Sequence, residues 1–309
     1  MIISASRRTD IPAFYSEWFM NRVRSGYCCT VNPFNANQVA RVSLEPADVG
    51  VIVFWTKDAR PMIPHVGELS SLGFRFYFQY TINDYQALLE PGVPPLNECI
   101  EAFKELSSLI GPDKVIWRYD PIVLSDLTPE DYHLRTFERI ASALSGSTHR
   151  VVISISDEYR AAKGRLQRLD IGYREPDLED AEFAGMLRAM VEIAGREGME
   201  ILSCAEVYDL TPFGIQPGKC VDDAYIRKVF GIDVTHRKDK NQRLECGCVQ
   251  SKDIGQYDTC RHGCAYCYAT RSDKLVDGNT ERHYPDSPLI VGRYDPPEAE
   301  PVEVQKSLF

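Results

Sequence analysis

The stretch VGVIVFWTKDARPMIPHVGELSSLGFRFYFQYTI, residues 49–82, opens and closes on two runs, VGVIVFWT and FRFYFQYTI, with a helical pattern between them. Both runs are dense in β-branched and aromatic side chains. Neither alternates strictly between apolar and polar, so each reads as a strand buried on both faces. Strands of that kind belong to parallel sheets, where neighbours are joined by a crossover, usually a helix. Four more runs share this character: MIISAS at 1–6, KVIWRYD at 114–120, RVVISIS at 150–156 and EILSCAEV at 200–207. Helical patterns lie between these too. From Leu96 to Ile110, after Pro94 and Pro95, the residues Leu96, Ile100, Phe103 and Leu106 fall on one face. Thr128, Pro129 and Glu130 read as a cap, a first-turn proline and a first-turn acid before a helix to about Leu144. A third helix is expected from about Leu178 to Arg196, ending at Gly198.

Six such strands, each followed by a helix, predict an α/β chain built as a full or partial (β/α) TIM-like barrel. A doubly wound open sheet is the alternative, but no glycine-rich nucleotide fingerprint follows any strand. The expected organisation is a barrel core over residues 1–211, a Cys-rich iron–sulfur segment over 212–287 packed on the barrel mouth, and a tail over 288–309 that wraps the surface or frays. Beyond about Pro212 the regular pattern gives way to KDKNQRLECGCVQSKDIGQYDTCRHGCAYCYA, residues 238–269. A loop of that length inside a compact domain needs something besides apolar packing to order it, and metal coordination is the evident candidate.

The chain has 309 residues, 44% of them hydrophobic and 26% charged, enough to bury a substantial core. Lys and Arg number 35 against 45 Asp and Glu, a net charge of -10 that repels polyanions, so general nucleic-acid binding is not indicated. Arg7 with Arg8 and the run Arg237 to Lys240 could still form a local basic patch. No apolar stretch reaches membrane-spanning length and the first residues lack the layout of a signal peptide, so no membrane partner and a cytoplasmic location are expected. In such a setting the ten cysteines read as metal ligands and buried thiols rather than disulfides. Cys28 and Cys29 fall in a probable strand and Cys99 early in a helix, where thiols act as small hydrophobes.

The most specific chemical pattern is CRHGCAYCYA at 260–269, in which Cys260, Cys264 and Cys267 are spaced C-x3-C-x2-C and Tyr266 directly precedes the last. Three thiolates can hold three corners of a 4Fe-4S cluster and leave the fourth iron open. Zinc is the plainer reading of a C-x2-C pair, but structural zinc favours two matched pairs, which the third cysteine breaks. His262 reads as a hydrogen-bonding neighbour of the ligands. Cys204, Cys220, Cys246 and Cys248 remain in the same region and could bind a second iron–sulfur cluster or a zinc ion.

Polar groups also gather where the expected strands end, which in parallel barrels is where chemistry collects. Arg7, Arg8 and Asp10 follow the first strand; Trp55, Thr56 and Lys57 end the second; Gln79, Tyr80 and Thr81 end the third. Arg118, Tyr119 and Asp120 end the fourth, with Ser154, Ser156 and Asp157 on the fifth and Glu206 after the sixth. The alternative is that these are structural ion pairs between neighbouring strands and loops.

The cysteine triple resembles that of the radical S-adenosylmethionine (SAM) enzymes. The resemblance implies that SAM occupies the open iron and is cleaved to a 5'-deoxyadenosyl radical, which abstracts hydrogen from a substrate. It also implies that Tyr266 lies near the adenine, and that an electron donor such as ferredoxin or flavodoxin reduces the cluster. Arg7, Arg8, Lys57, Arg118 and Asp120 are then candidates to hold SAM or substrate, the basic groups for a carboxylate and the acid for ribose hydroxyls or the ammonium. Tyr257, Tyr268 and Cys248 lie near the motif but no radical relay is assigned. Residues 78–123, with VFWTKDA at 53–59, look like the middle of spore photoproduct lyase and its relatives, the matching positions being Thr56, Lys57, Glu90, Pro94, Tyr119, Asp120, Pro121 and Ile122. The complete pattern, from SASRRTDIPAFY at 4–15 to CGCVQSKDIGQYDTCRHGCAYCYA at 246–269, is similar to a bacterial family known as domain of unknown function 1848. That likeness covers nearly the full chain and implies a radical SAM-like barrel whose cluster loop has moved to the end of the chain, as in a circular permutation. The expected function is therefore hydrogen abstraction from a small or macromolecular substrate; a non-catalytic iron–sulfur or zinc protein and a nucleic-acid lesion lyase are the alternatives.

Overall fold

The computed structural model describes residues 1–156 and 160–295. In chain order its elements are β1 (Ile2–Ala5), α1 (Ile11–Phe14), α2 (Ser16–Arg24), β2 (Tyr27–Asn32), β3 (Asn35–Ser43), β4 (Val51–Thr56), α3 (Val66–Ser71), β5 (Phe76–Thr81), α4 (Leu96–Ile110) and β6 (Val115–Ile122). There follow α5 (Glu130–Leu144), β7 (Arg150–Ile155), α6 (Arg160–Arg168), α7 (Ala181–Arg196), β8 (Glu200–Cys204), β9 (Gln216–Gly218), α8 (Asp223–Phe230), β10 (Lys252–Asp253) and α9 (Asp273–Glu281). The six strands expected from the apolar runs are β1 and β4 to β8.

Those strands pair in parallel, each beside the next in sequence, and the order across the sheet is β10-β1-β4-β5-β6-β7-β8-β9. The chain is therefore α/β, and an order that never reverses through the six principal strands is not that of a doubly wound sheet. The expectation of a full barrel is corrected: β9 and β10 do not pair, so the sheet stays open. Both edge strands are too short, at three and two residues, to offer the run of backbone groups that closure needs. β2 and β3 form a separate antiparallel hairpin, and Cys28 and Cys29 lie in β2 as buried residues.

Alternation along the strands divides the interior in two. Ile3, Ile52, Phe54, Phe78, Trp117, Tyr119 and Ile153 face the helices, packing with Trp18, Phe19, Phe103, Phe137 and Leu187. Ile2, Val51, Val53, Tyr77, Ile116 and Val152 face the other way, toward Val221, Tyr225 and Ile226 and the thiols of Cys220, Cys246 and Cys248. One face is aromatic and dry; the other takes Gln79, Arg118 and Cys204 at the same period of two.

The three expected helices are α4, α5 and α7. The start of α5 differs from the capping pattern: its N-cap position is Pro129, without a side-chain bond, because the Thr128 hydroxyl donates to Val123 O at 2.6 Å and closes the loop before the helix. Asp180 caps α7, accepting from Glu182 N and Phe183 N at 2.8 and 2.9 Å, so the helix begins three residues later than its apolar pattern. Residues beyond Pro212 also carry α8, α9 and the two edge strands. From the tail, Leu289, Ile290 and Val291 are buried, while 296–309 lie outside the described residues.

Candidate metal centre

Parallel strands end together, and the polar side chains expected at those ends do meet. Lys57, just past β4, places Nζ 2.8 Å from Glu90 Oε1, and Glu90 is buried. Tyr266 OH donates to the same Glu90 oxygen, and Lys57 Nζ sits 5.6 Å from the Tyr266 ring centre. Asn83 donates to Glu90 Oε1 at 3.3 Å and to Asp120 O at 3.0 Å, and its Oδ1 accepts from Asp120 N at 2.8 Å. Burial works against a charged Lys57, but Glu90, the nearby Cys264 and Asp120 together hold its pKa above the ordinary lysine value. Burial likewise opposes ionised Asp120, and Arg118, Ser154 and Lys57 more than offset it.

Cys260, Cys264 and Cys267 are half-buried beside this network. Desolvation raises the Cys264 thiol, opposed by the Lys57 charge, and the negative charges of Glu90, Cys267 and Cys260 raise it further. Cys260 is raised by burial and by Asp10. Any ligand that needs these sulfurs as thiolates must displace protons from at least two of them, and Lys57 is a cation placed to favour that loss at Cys264.

The motif loop is tied down along its length. Gly92 N donates to His262 O at 2.9 Å and Ala265 N to Leu89 O at 2.9 Å. His262 is buried, its Nδ1 on Gly92 O at 3.0 Å and its Nε2 on Asp10 Oδ2 at 2.9 Å, so one ring joins the motif to the loop after β1 and to the loop after β5. Arg165 of α6 donates to Ala265 O at 2.9 Å, Thr270 O at 2.8 Å and Cys267 O. A Cβ at Gly92 would stand 2.7 Å from Arg261 O and 2.9 Å from His262 O, so only glycine permits this approach. Glu90, Asn83, Arg165 and Gly92 were not expected to shape the site. Glu90 was legible as a matching position of the lyase resemblance, whereas Asn83, Gly92 and Arg165 carry no local signal of this role.

Arg118 turns away from the motif. Its Nε and Nη2 bind Asp120 Oδ2 at 2.9 and 2.6 Å, and its Nη1 lies 2.8 Å from Cys220 Sγ. Arg7 stacks on Trp55 at 4.9 Å and faces Cys248 and Cys220. Arg8 lies over Tyr257 at 5.3 Å, with Asp253 4.0 Å away. The strand ends thus divide: Lys57, Asp120 and Tyr266 stand at the motif, while Arg7 and Arg118 stand at the other thiols. Asp157 lies outside the described residues, and Tyr268 OH donates to Arg7 O at 2.7 Å.

Those other thiols meet as a chain. Cys204 Sγ is 2.9 Å from Cys220 Sγ, Val221 N donates to Cys248 Sγ at 3.3 Å, and Cys248 lies close enough to Cys220 and Cys246 to shift their ionisation. The bond from Cys220 and the Arg118 charge hold Cys204 down to about 7, and Cys248, between two thiols and near Arg7, is lower still. Their partners Cys220 and Cys246 are raised. As they stand, no three His, Cys, Asp or Glu side chains among the described residues are arranged to hold a single metal ion. Among those residues no helix is long and apolar enough to cross a membrane.

In comparison with known proteins, residues 2–269 match the family model described as Domain of unknown function (DUF1848). No curated protein matches the chain.

Proposed function

This chain belongs to the DUF1848 family, and from its strand-end chemistry we propose that it is an enzyme of the radical SAM type. The observation that carries the reading is the placing of three half-buried cysteines, spaced C-x3-C-x2-C, against a buried Lys57–Glu90–Tyr266 network at the C-terminal ends of a parallel sheet. The sequential strand order, with α2, α4, α5 and α7 on one face and α8 on the other, fits a partial barrel of that class. Cys260, Cys264 and Cys267 would hold a 4Fe-4S cluster. Bound there, the reduced cluster and SAM would supply a 5'-deoxyadenosyl radical that abstracts hydrogen from a substrate.

The donor set fits such a group. Three sulfurs are too few to saturate four irons, and they lie on a loop pinned by Arg165, His262 and the close approach at Gly92. Lys57 would offset the negative charge of the thiolates. Tyr266, whose hydroxyl bonds Glu90 and which directly precedes the third ligand in sequence, would contact SAM, and Asp120, kept ionised by Arg118, would accept from hydroxyl or ammonium groups of SAM. A ferredoxin or flavodoxin would donate the electron. The acidic chain and its absence of membrane-length helices among the described residues fit a cytoplasmic enzyme, with the substrate itself left open.

The test is anaerobic purification with iron and sulfide analysis, followed by reduction in the presence of SAM. Iron, sulfide and 5'-deoxyadenosine should all be found, and all should vanish in C260A/C264A/C267A. Iron without SAM cleavage would leave a non-catalytic iron–sulfur protein, and absence of iron would end the proposal. Salt-sensitive binding to damaged DNA would instead favour a lesion lyase.

A further inference from the structure

The second group of thiols has no part in that chemistry. Cys204 ends β8, Cys220 follows β9, and Cys246 and Cys248 lie on the segment leading to β10. β9 and β10 are the two open edges of the sheet, so sulfurs from both ends of the strand order converge on the face that α8 covers, opposite α2, α4, α5 and α7. Cys220, Cys246 and Cys248 are buried there, and Cys204 is half-buried.

Two guanidinium groups accompany them. Arg118 Nη1 approaches Cys220 Sγ to 2.8 Å, and the buried Nη2 of Arg7, which faces Cys248 and Cys220, has no hydrogen-bond partner. A neutral thiol is a weak acceptor and answers poorly to a buried cation, so two arginines aimed at four cysteines point to anionic sulfur. Four thiolates around one divalent ion leave a net charge of about -2, which the two guanidinium groups offset in part, Arg118 being shared with Asp120 and Arg7 with Asp239.

The spacing selects the class of metal. Sulfurs ~2.3 Å from a tetrahedral zinc stand roughly 3.8 Å apart, whereas a four-iron cluster holds its cysteines farther apart, so the direct contact of Cys204 with Cys220 is nearer the zinc arrangement. At 2.9 Å the Cys204 and Cys220 sulfurs are closer than ligands would be, which is why no three are yet arranged around an ion. Loss of the thiol protons, with entry of the cation, would spread them to ligand distance.

We propose that Cys204, Cys220, Cys246 and Cys248 are the ligands of a structural zinc ion that joins the two short edges of the open sheet. The centre does what strand pairing does in a closed barrel. It is independent of the motif cysteines, so the test uses full-length C260A/C264A/C267A, from which any cluster at the motif is gone. Metal analysis should find about one zinc per chain, and X-ray absorption at the zinc edge should show a shell of four sulfurs. Zinc should be lost in the same background carrying C204S and C248S. If that variant fails to fold, the absorption spectrum of the parent still decides. A chelator should speed hydrogen exchange at residues 246–253 while leaving α4 and α5 unchanged. Iron and sulfide in place of zinc, a shell containing nitrogen or oxygen, or metal-free protein in which Cys204, Cys220, Cys246 and Cys248 are all alkylated or Cys204 and Cys220 form a disulfide would each overturn the proposal.

Discussion

Lys57 and Glu90 show what a buried charge demands of its neighbours. Glu90 is 4% exposed and Lys57 is its direct cation, so Lys57→Met should leave an uncompensated carboxylate and cost about 3–5 kcal/mol in urea unfolding. Adding Glu90→Gln should restore most of that loss, and a K57M cost below about 1 kcal/mol would show the pair to be screened by water. His133 gives a pH prediction. It is fully buried, accepts from Tyr119 OH at Nδ1 (2.8 Å) and donates from Nε2 to Val123 O (3.0 Å), and burial lowers its pKa from 6.5 to about 4. The unfolded chain therefore binds the proton first: stability from neutral His133 is full above pH 6.5 and is lost as pH falls toward 4. Denaturation across that window should show about 3 kcal/mol of pH dependence that His133→Asn lacks; equal slopes would place the proton elsewhere.

At the level of elements, the motif loop depends on contacts from helices and loops distant in sequence. A methyl at Gly92 meets backbone oxygens, which cannot rotate aside, so Gly92→Ala should cost about 1–3 kcal/mol and lower iron uptake by the reconstituted protein. Unchanged iron content in a folded G92A chain would detach this contact from the site. Arg165→Ala removes three donors from motif carbonyls, and amide exchange over 265–271 should quicken while β4 and β5 stay protected. The same elements explain what could be read in advance. β4 to β8 and α4 carry long, uninterrupted patterns, so local sequence suffices. The β2–β3 hairpin, α8 and the edge strands are short or polar, and their stability comes from what they pack against.

The whole molecule is held by its two ends. Trp18 Nε1, Asn21 Nδ2 and Arg22 Nη2 donate to Ser287 O, Pro285 O and Asp286 O, and Cys29 N donates to Pro288 O. With Leu289, Ile290 and Val291 buried, a chain stopped after Arg282 should lose roughly 6 kcal/mol and expose Trp18, with a red-shifted fluorescence maximum. An unshifted maximum and melting temperature would show the segment to be dispensable. Asp253 performs a similar task at the other side of the sheet, accepting from Ser4, Ser6 and Arg7 N and so fastening β10 to β1.

What the amino-acid order determined by itself was the set of principal strands, the α/β class and the C-x3-C-x2-C triple, because periodicity and close spacing are local quantities. Tertiary structure decided the rest. That the sheet stays open depends on two edge strands too short to signal themselves, and that Arg7 and Arg118 face Cys220 rather than the motif depends on which side of each strand meets the returning chain. Cys204 and Cys248 lie 44 positions apart in the sequence, yet Cys220 touches Cys204 and its neighbour Val221 donates to Cys248 Sγ. Only the folding of the late segment across the sheet brings those sulfurs together, and no local pattern encodes a meeting between residues so far apart.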